Sequence, residues 1–150
     1  MELCNSRYGI VICERAHGIH AGCAALALSN VLPFIGHDAV LILDVAPGTT
    51  GNRVQCNSIR TNGLLGIDLA TAASVINGDV TLNDLGDTDS GANSFQNFPV
   101  IGIAHSGPKT IVAGTLNSLP NTVFTLDFYA SPAADPSGYG EGARYLGSWT

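Results

Sequence analysis

Asn57-Ser58-Ile59-Arg60-Thr61-Asn62-Gly63-Leu64-Leu65-Gly66-Ile67-Asp68-Leu69 can be laid over Asn30-Val31-Leu32-Pro33-Phe34-Ile35-Gly36-His37-Asp38-Ala39-Val40-Leu41-Ile42 at an offset of 27 residues. Asparagine meets asparagine, glycine meets glycine, and the apolar alternation that follows stays in phase. Gly9-Ile10-Val11-Ile12 adds a fainter third copy, in register with Ala39-Val40-Leu41-Ile42 and Gly66-Ile67-Asp68-Leu69. Short alternating strands recurring every 20 to 30 or so residues are the pattern of a solenoid. A single coil cannot bury its apolar face. Stacked coils can, and stacked asparagines can hydrogen-bond along the stack at its turns.

The expected strands of this part are Tyr8–Cys13, Ala39–Asp44, Arg53–Ile59 and Leu65–Ala70. Period-2 alternation points Ile67 and Leu69 inward and Asp68 out to water. Ala21–Leu28 is apolar throughout and reads equally as a short helix. From Thr71 to Asn97 the pattern stops, and Asn77-Gly78, Asn83-Asp84, Gly86-Asp87, Asp89 and Gly91 form a turn-rich linking loop. Strands resume after Phe98-Pro99. Thr110–Leu116, Thr122–Ala130 and Arg144–Trp149 suit three antiparallel strands at the start of a β-sandwich, with Phe124 and Phe128 as core. The expected fold is therefore all-β: a short parallel β-helix over residues 1–70, a linker over 71–97 and an incomplete antiparallel β-sandwich over 98–150. A three-stranded half-sandwich leaves an apolar face open to a partner chain, and an uncapped coil stack leaves open ends. Both predict a homo-oligomer.

The 150-residue chain is poor in charge, at 12% charged residues, and carries a net charge of −6. One lysine, Lys109, and five dispersed arginines cannot assemble a phosphate-binding patch, so nucleic acid is excluded as a partner. No apolar run reaches the roughly 18 residues of a membrane span. Met1-Glu2-Leu3 is followed by polar residues rather than a basic and then a long apolar region, so no signal peptide is expected.

Gly51-Asn52-Arg53-Val54-Gln55-Cys56-Asn57-Ser58-Ile59 followed by Gly66-Ile67-Asp68-Leu69 resembles the coil repeat of secreted bacterial right-handed parallel β-helix proteins. Asn83-Asp84-Leu85-Gly86-Asp87-Thr88-Asp89-Ser90-Gly91 with Gln96-Asn97-Phe98-Pro99-Val100 resembles the segment that ends such a helix. Gly114-Thr115-Leu116-Asn117-Ser118, Phe124–Tyr129 and Asp135–Gly142 are similar to the immunoglobulin-like module that follows it. The likeness covers about residues 46–147. Cys56 replaces a coil glycine and Ala134 a frequent cysteine. The resemblance implies a bacterial extracellular or cell-surface architecture and no shared catalytic motif.

Four sets of residues carry candidate chemistry. Asp84, Asp87 and Asp89, with Asn83 and Asn93 nearby, gather the oxygen ligands calcium takes, within glycines that permit a tight loop. The plain alternative is a solvated Asx-rich turn. Cys13, His17, His20 and Cys23 offer the thiolate and imidazole set of a zinc or copper site, against ordinary histidines beside buried thiols or a Cys13–Cys23 disulfide. With Cys4 and Cys56, the cysteines leave the pairing open. Asp44 and Asp68 are the weak catalytic candidates of a polysaccharide lyase or glycoside hydrolase, although the register partner of Asp68 is Leu41 rather than an acid. Tyr139 and Trp149 are the aromatics expected to be exposed for stacking on sugar rings. The reading this favours is a non-catalytic structural or adhesive module that presents a β surface to polysaccharide or a cell-surface protein and is stiffened by calcium.

Overall fold

The computed structural model describes residues 7–23, 29–75 and 77–150. The expectations for residues 24–28 and for Cys4 lie outside them. Among the described residues eleven strands follow one another: β1 Ile10–Ile12, β2 His20–Gly22, β3 Val31–Pro33, β4 Val40–Asp44, β5 Arg53–Gln55, β6 Ser58–Arg60, β7 Ile67–Thr71, β8 Val100–His105, β9 Ile111–Thr115, β10 Leu126–Ala130 and β11 Arg144–Trp149.

The first seven strands form three parallel sheets, and each sheet takes every third strand: β1-β4-β7, β2-β5 and β3-β6. The register is the one the repeat requires. Ile10 pairs with Val40 and Val40 with Ile67, while Val31, Leu32 and Pro33 pair with Ser58, Ile59 and Arg60. Ile12, Ala39, Val40, Ile42 and Ile59 form the core, with Ile10, Leu32, Val54 and Leu69 packed against it. Gly36 and Gly63 stack one above the other, and a Cβ on Gly63 would lie 2.4 Å from the Gly36 carbonyl oxygen.

Arg53–Ile59, expected as one strand, is two. Cys56 takes a left-handed φ of 56°, which turns the chain between β5 and β6 and aims Asn57 inward. Cys56 is joined to Cys23 by a disulfide across 33 residues, tying the second repeat to the first.

Three asparagines spaced by five, Asn52, Asn57 and Asn62, hold successive turns together. Each side-chain oxygen accepts a backbone N–H from the preceding repeat: Ile19, Asn30 and Ile35 respectively. Each side-chain nitrogen donates to a carbonyl there: Ala16, Ala21 and Leu32. Polar groups left at a bend in the core thereby find partners, which buried amides require.

The expectation for Asp68 was wrong. It faces the opposite side of the sheet from Leu69, but it is only 2% exposed, and its register partner Leu41 is 1% exposed. That outer face is covered too. The Tyr8 hydroxyl reaches the Val75 carbonyl in the turn after β7, and Asp79 lies close enough to act on the Asp68 charge.

Residues 98–150 form two separate antiparallel hairpins, β8–β9 and β10–β11, in place of one three-stranded sheet. The strand expected from Thr122 begins at Leu126, and Phe124 and Phe128 are half-buried. Every residue of β8 and β9 is exposed.

Asn57→Ala removes three hydrogen bonds, two from Asn30 and one to Ala21. At about 1 kcal/mol each, with a Tm change of roughly 2–4 °C per kcal/mol, chemical and thermal unfolding should show a loss near 3 kcal/mol and a Tm lower by roughly 6–12 °C. Reduction of Cys23–Cys56 should cost about 3–4 kcal/mol, as expected for release of a loop of this length, and denaturant titration with and without reductant measures it.

Candidate functional site

The loop between β7 and β8 is built around two buried polar residues. Asn97, 2% exposed, accepts the Asp84 N–H and donates from its side-chain nitrogen to the Asp84 and Asn117 carbonyls. Asp87, 7% exposed and with a left-handed φ, accepts the Asn97 N–H at 2.9 Å and the Ser118 hydroxyl. Asn83 exchanges two hydrogen bonds with the Phe98 backbone and closes the loop. Gly86, itself at positive φ, donates its N–H to the Asn117 side chain.

This frame brings Asp84, Asp87 and Asp89 together, so that one carboxylate oxygen of each lies within 4.8 Å of the others. The Asp84 Oδ2 accepts the backbone N–H and the hydroxyl of Thr88, each at 3.0 Å. The Thr88 N–H bond is the main cause that holds the Asp84 carboxyl below its usual range. Its Oδ1 is shielded from solvent and has no hydrogen-bond partner. Asp89, the exposed member, is pushed up by loss of solvation and then by the negative charges of Asp84 and Asp87. Three carboxylates and one unpartnered oxygen suit a hard divalent cation, which would relieve their repulsion.

The other candidate sets do not assemble in the same way. Cys23 is bonded to Cys56, so its thiolate is not available to a metal, and the Cys13, His17, His20, Cys23 set is overturned as a four-ligand zinc or copper site. Among the described residues, the acidic triad is the one group of three or more metal-ligating side chains brought together. Asp44 pairs with Thr71 and Asp68 with Leu41 in the same sheet. Asp44 stands three positions after Leu41, so the two acids lie on opposite faces and cannot flank one sugar ring. Burial, with the Asp38 charge second, raises the Asp68 carboxyl to about 7. Tyr139 is 40% exposed, with its ring edge-on to Phe98 at 5.5 Å, and Trp149 is 69% exposed at the end of β11.

A further group of residues was not anticipated. The far edge of the second repeat is closed by side chains and backbone carbonyls from later in the chain. Asn93 accepts the Asn52 N–H and returns a bond to the Asn52 carbonyl. Glu141 Oε1 accepts both the N–H and the side-chain amide of Asn62, at 3.0 and 2.6 Å. Asp127 accepts the Cys56 N–H, the Gly142 carbonyl accepts the Ile59 N–H, and the Ala143 carbonyl accepts the Ser58 hydroxyl. The five-residue asparagine spacing marks the edge that needs closing, but no local pattern marks the distant residues that close it.

Comparison with protein-family models, with curated proteins and with solved structures finds no match to this chain.

Proposed function

We propose that this chain is a non-catalytic structural or adhesive module of an extracellular or bacterial cell-surface protein, and that it works through the β8–β9 ribbon. The observation that carries this reading is the ribbon's surface. Ile101, Ile103 and Ile111 are each 62–63% exposed, and Val100 and Val112 are exposed beside them. A two-stranded ribbon alone is marginal in water, and an apolar patch of this kind marks an interaction site. Aliphatic side chains with an open strand edge suit a protein surface joined by strand addition. Tyr139 and Trp149 supply aromatic faces for a polysaccharide.

The order of the parallel sheets supports reading the first part as coils of a right-handed parallel β-helix, and the two hairpins support reading the second as part of an immunoglobulin-like sandwich. The Cys23–Cys56 disulfide is compatible with an oxidising, extracellular setting. Calcium at Asp84, Asp87 and Asp89 would stiffen the loop between the two parts.

The same ribbon suits a second copy of the chain. Light scattering of the full chain across a wide concentration range should give a mass above the monomer, and Ile101→Lys with Ile103→Lys should return the monomer with Tm little changed. Binding to intact bacterial cells should fall at least tenfold in the same variant, and binding to immobilised cell-wall polysaccharide should fall at least tenfold in Tyr139→Ala with Trp149→Ala. A sharp monomer that binds neither would defeat the module reading. For the loop, saturating calcium should raise Tm by roughly 5–10 °C in the wild type. Asp84→Asn with Asp89→Asn should abolish the rise, and calorimetric titration with calcium chloride measures the same loss directly.

A further inference from the structure

Asp68 is a buried acid in a place the repeat fills with aliphatic side chains. Val11, Leu41 and Asp68 are register partners along β1, β4 and β7, and only the last is polar. Asp68 is 2% exposed, and its Oδ2 is shielded from solvent with no hydrogen-bond partner. Asp38 on the neighbouring repeat is fully buried. Both of its oxygens are already engaged: Oδ1 accepts the Leu65 N–H at 2.8 Å, and Oδ2 lies 2.9 Å from His37 Nδ1. The His37 ring stands edge-on to Tyr8 at 4.6 Å. The groups acting on Asp68 are therefore Asp38 and His37 beside β4 and Asp79 from the segment after β7. Tyr8, with Arg7 beyond it, completes the cluster from the start of β1.

An ionised Asp68 would leave negative charge on a buried oxygen, Oδ2, that no donor meets, close to the Asp38 carboxyl. A buried charge of that kind is not retained: it takes up a proton or it leaves the interior. We propose that Asp68 is an acid-held latch, which keeps its proton while β7 lies on the sheet and, on losing that proton to water, releases β7 from it.

The direction follows from linkage. The folded chain holds the Asp68 carboxyl up at about 7 against an ordinary value of 3.8. Between those limits the folded state keeps a proton the unfolded chain has lost. The stabilisation is complete below about pH 4, falls as the pH rises, and is gone above about 7. A strand at the end of a sheet is where such a loss opens the fold locally.

Thermal unfolding of the full chain at pH 5 and pH 8, with hydrogen exchange read at the β7 amides, tests this. The wild type should have a Tm roughly 5–11 °C lower at pH 8 and faster β7 exchange than the pH change alone produces. Asp68→Asn, which mimics the protonated acid, should lose most of that difference, whereas His37→Gln should keep it. An equal fall in wild type and Asp68→Asn, or no fall in either, overturns the proposal. If the Asn variant does not fold, the carbon-13 resonance of the Asp68 carboxyl in the wild type decides. A midpoint near 7 supports the latch, and a midpoint in the ordinary carboxylate range overturns it.

Discussion

The fold depends on one interaction: a side-chain amide placed where a stack of strands turns a corner. Parallel strands satisfy their backbone groups along straight runs, but between them N–H and C=O groups point into the interior with nothing beside them. An asparagine solves both halves of the problem, because its oxygen accepts and its nitrogen donates at the same level of the stack. Asn52, Asn57 and Asn62 each do so toward the preceding repeat. The apolar core of Ile12, Val40, Ile42 and Ile59 packs between these satisfied corners. The Cys23–Cys56 disulfide then ties the two repeats covalently at the same bend.

The two ends of this arrangement are treated differently. Toward the C-terminal side, Asn93, Asp127 and Glu141 supply the acceptors that another repeat would have brought. They come from three separate segments, so the loop that carries the acidic triad and the hairpin β10–β11 belong to the closure of the stack. This explains why so much of the acidic loop is held by internal hydrogen bonds. Asp87 and Asn97 position a turn first, and the meeting of three carboxylates is a product of that turn.

How far the sequence could be read follows the same division. The offset of 27 residues, seen in thirteen aligned positions, placed Val31 on Ser58 and Val40 on Ile67, as the structure pairs them. Repetition is legible because each copy must satisfy the same geometry. Arg53–Ile59 was misread as one strand because a left-handed Cys56 carries no signature that glycine would have carried. Asp68 was sent to water by the alternation rule, which gives the face but not what lies over it. The Cys/His set had acceptable spacing and failed because Cys23 pairs with a cysteine outside it. The acidic triad was legible because its members are close in sequence. The closing residues were not, since the contacts of Glu141 and Ala143 span 79 and 85 positions.

That separation has a kinetic side. Contacts between repeats close loops of 27 to 36 residues, as in Asn30 to Asn57 and Ala21 to Asn57, whereas the closure at Glu141 waits for a segment 79 residues downstream. Search time grows with the length of chain to be closed. On a ribosome that adds about 5–20 residues per second, the repeats are complete for several seconds before their lid exists. During that interval the outer rim of β5 and β6 is an unguarded template, and any neighbouring chain at the same stage offers a matching one. Crowding of nascent chains therefore bears on how much of this protein reaches its folded form, alongside the stability of the finished molecule.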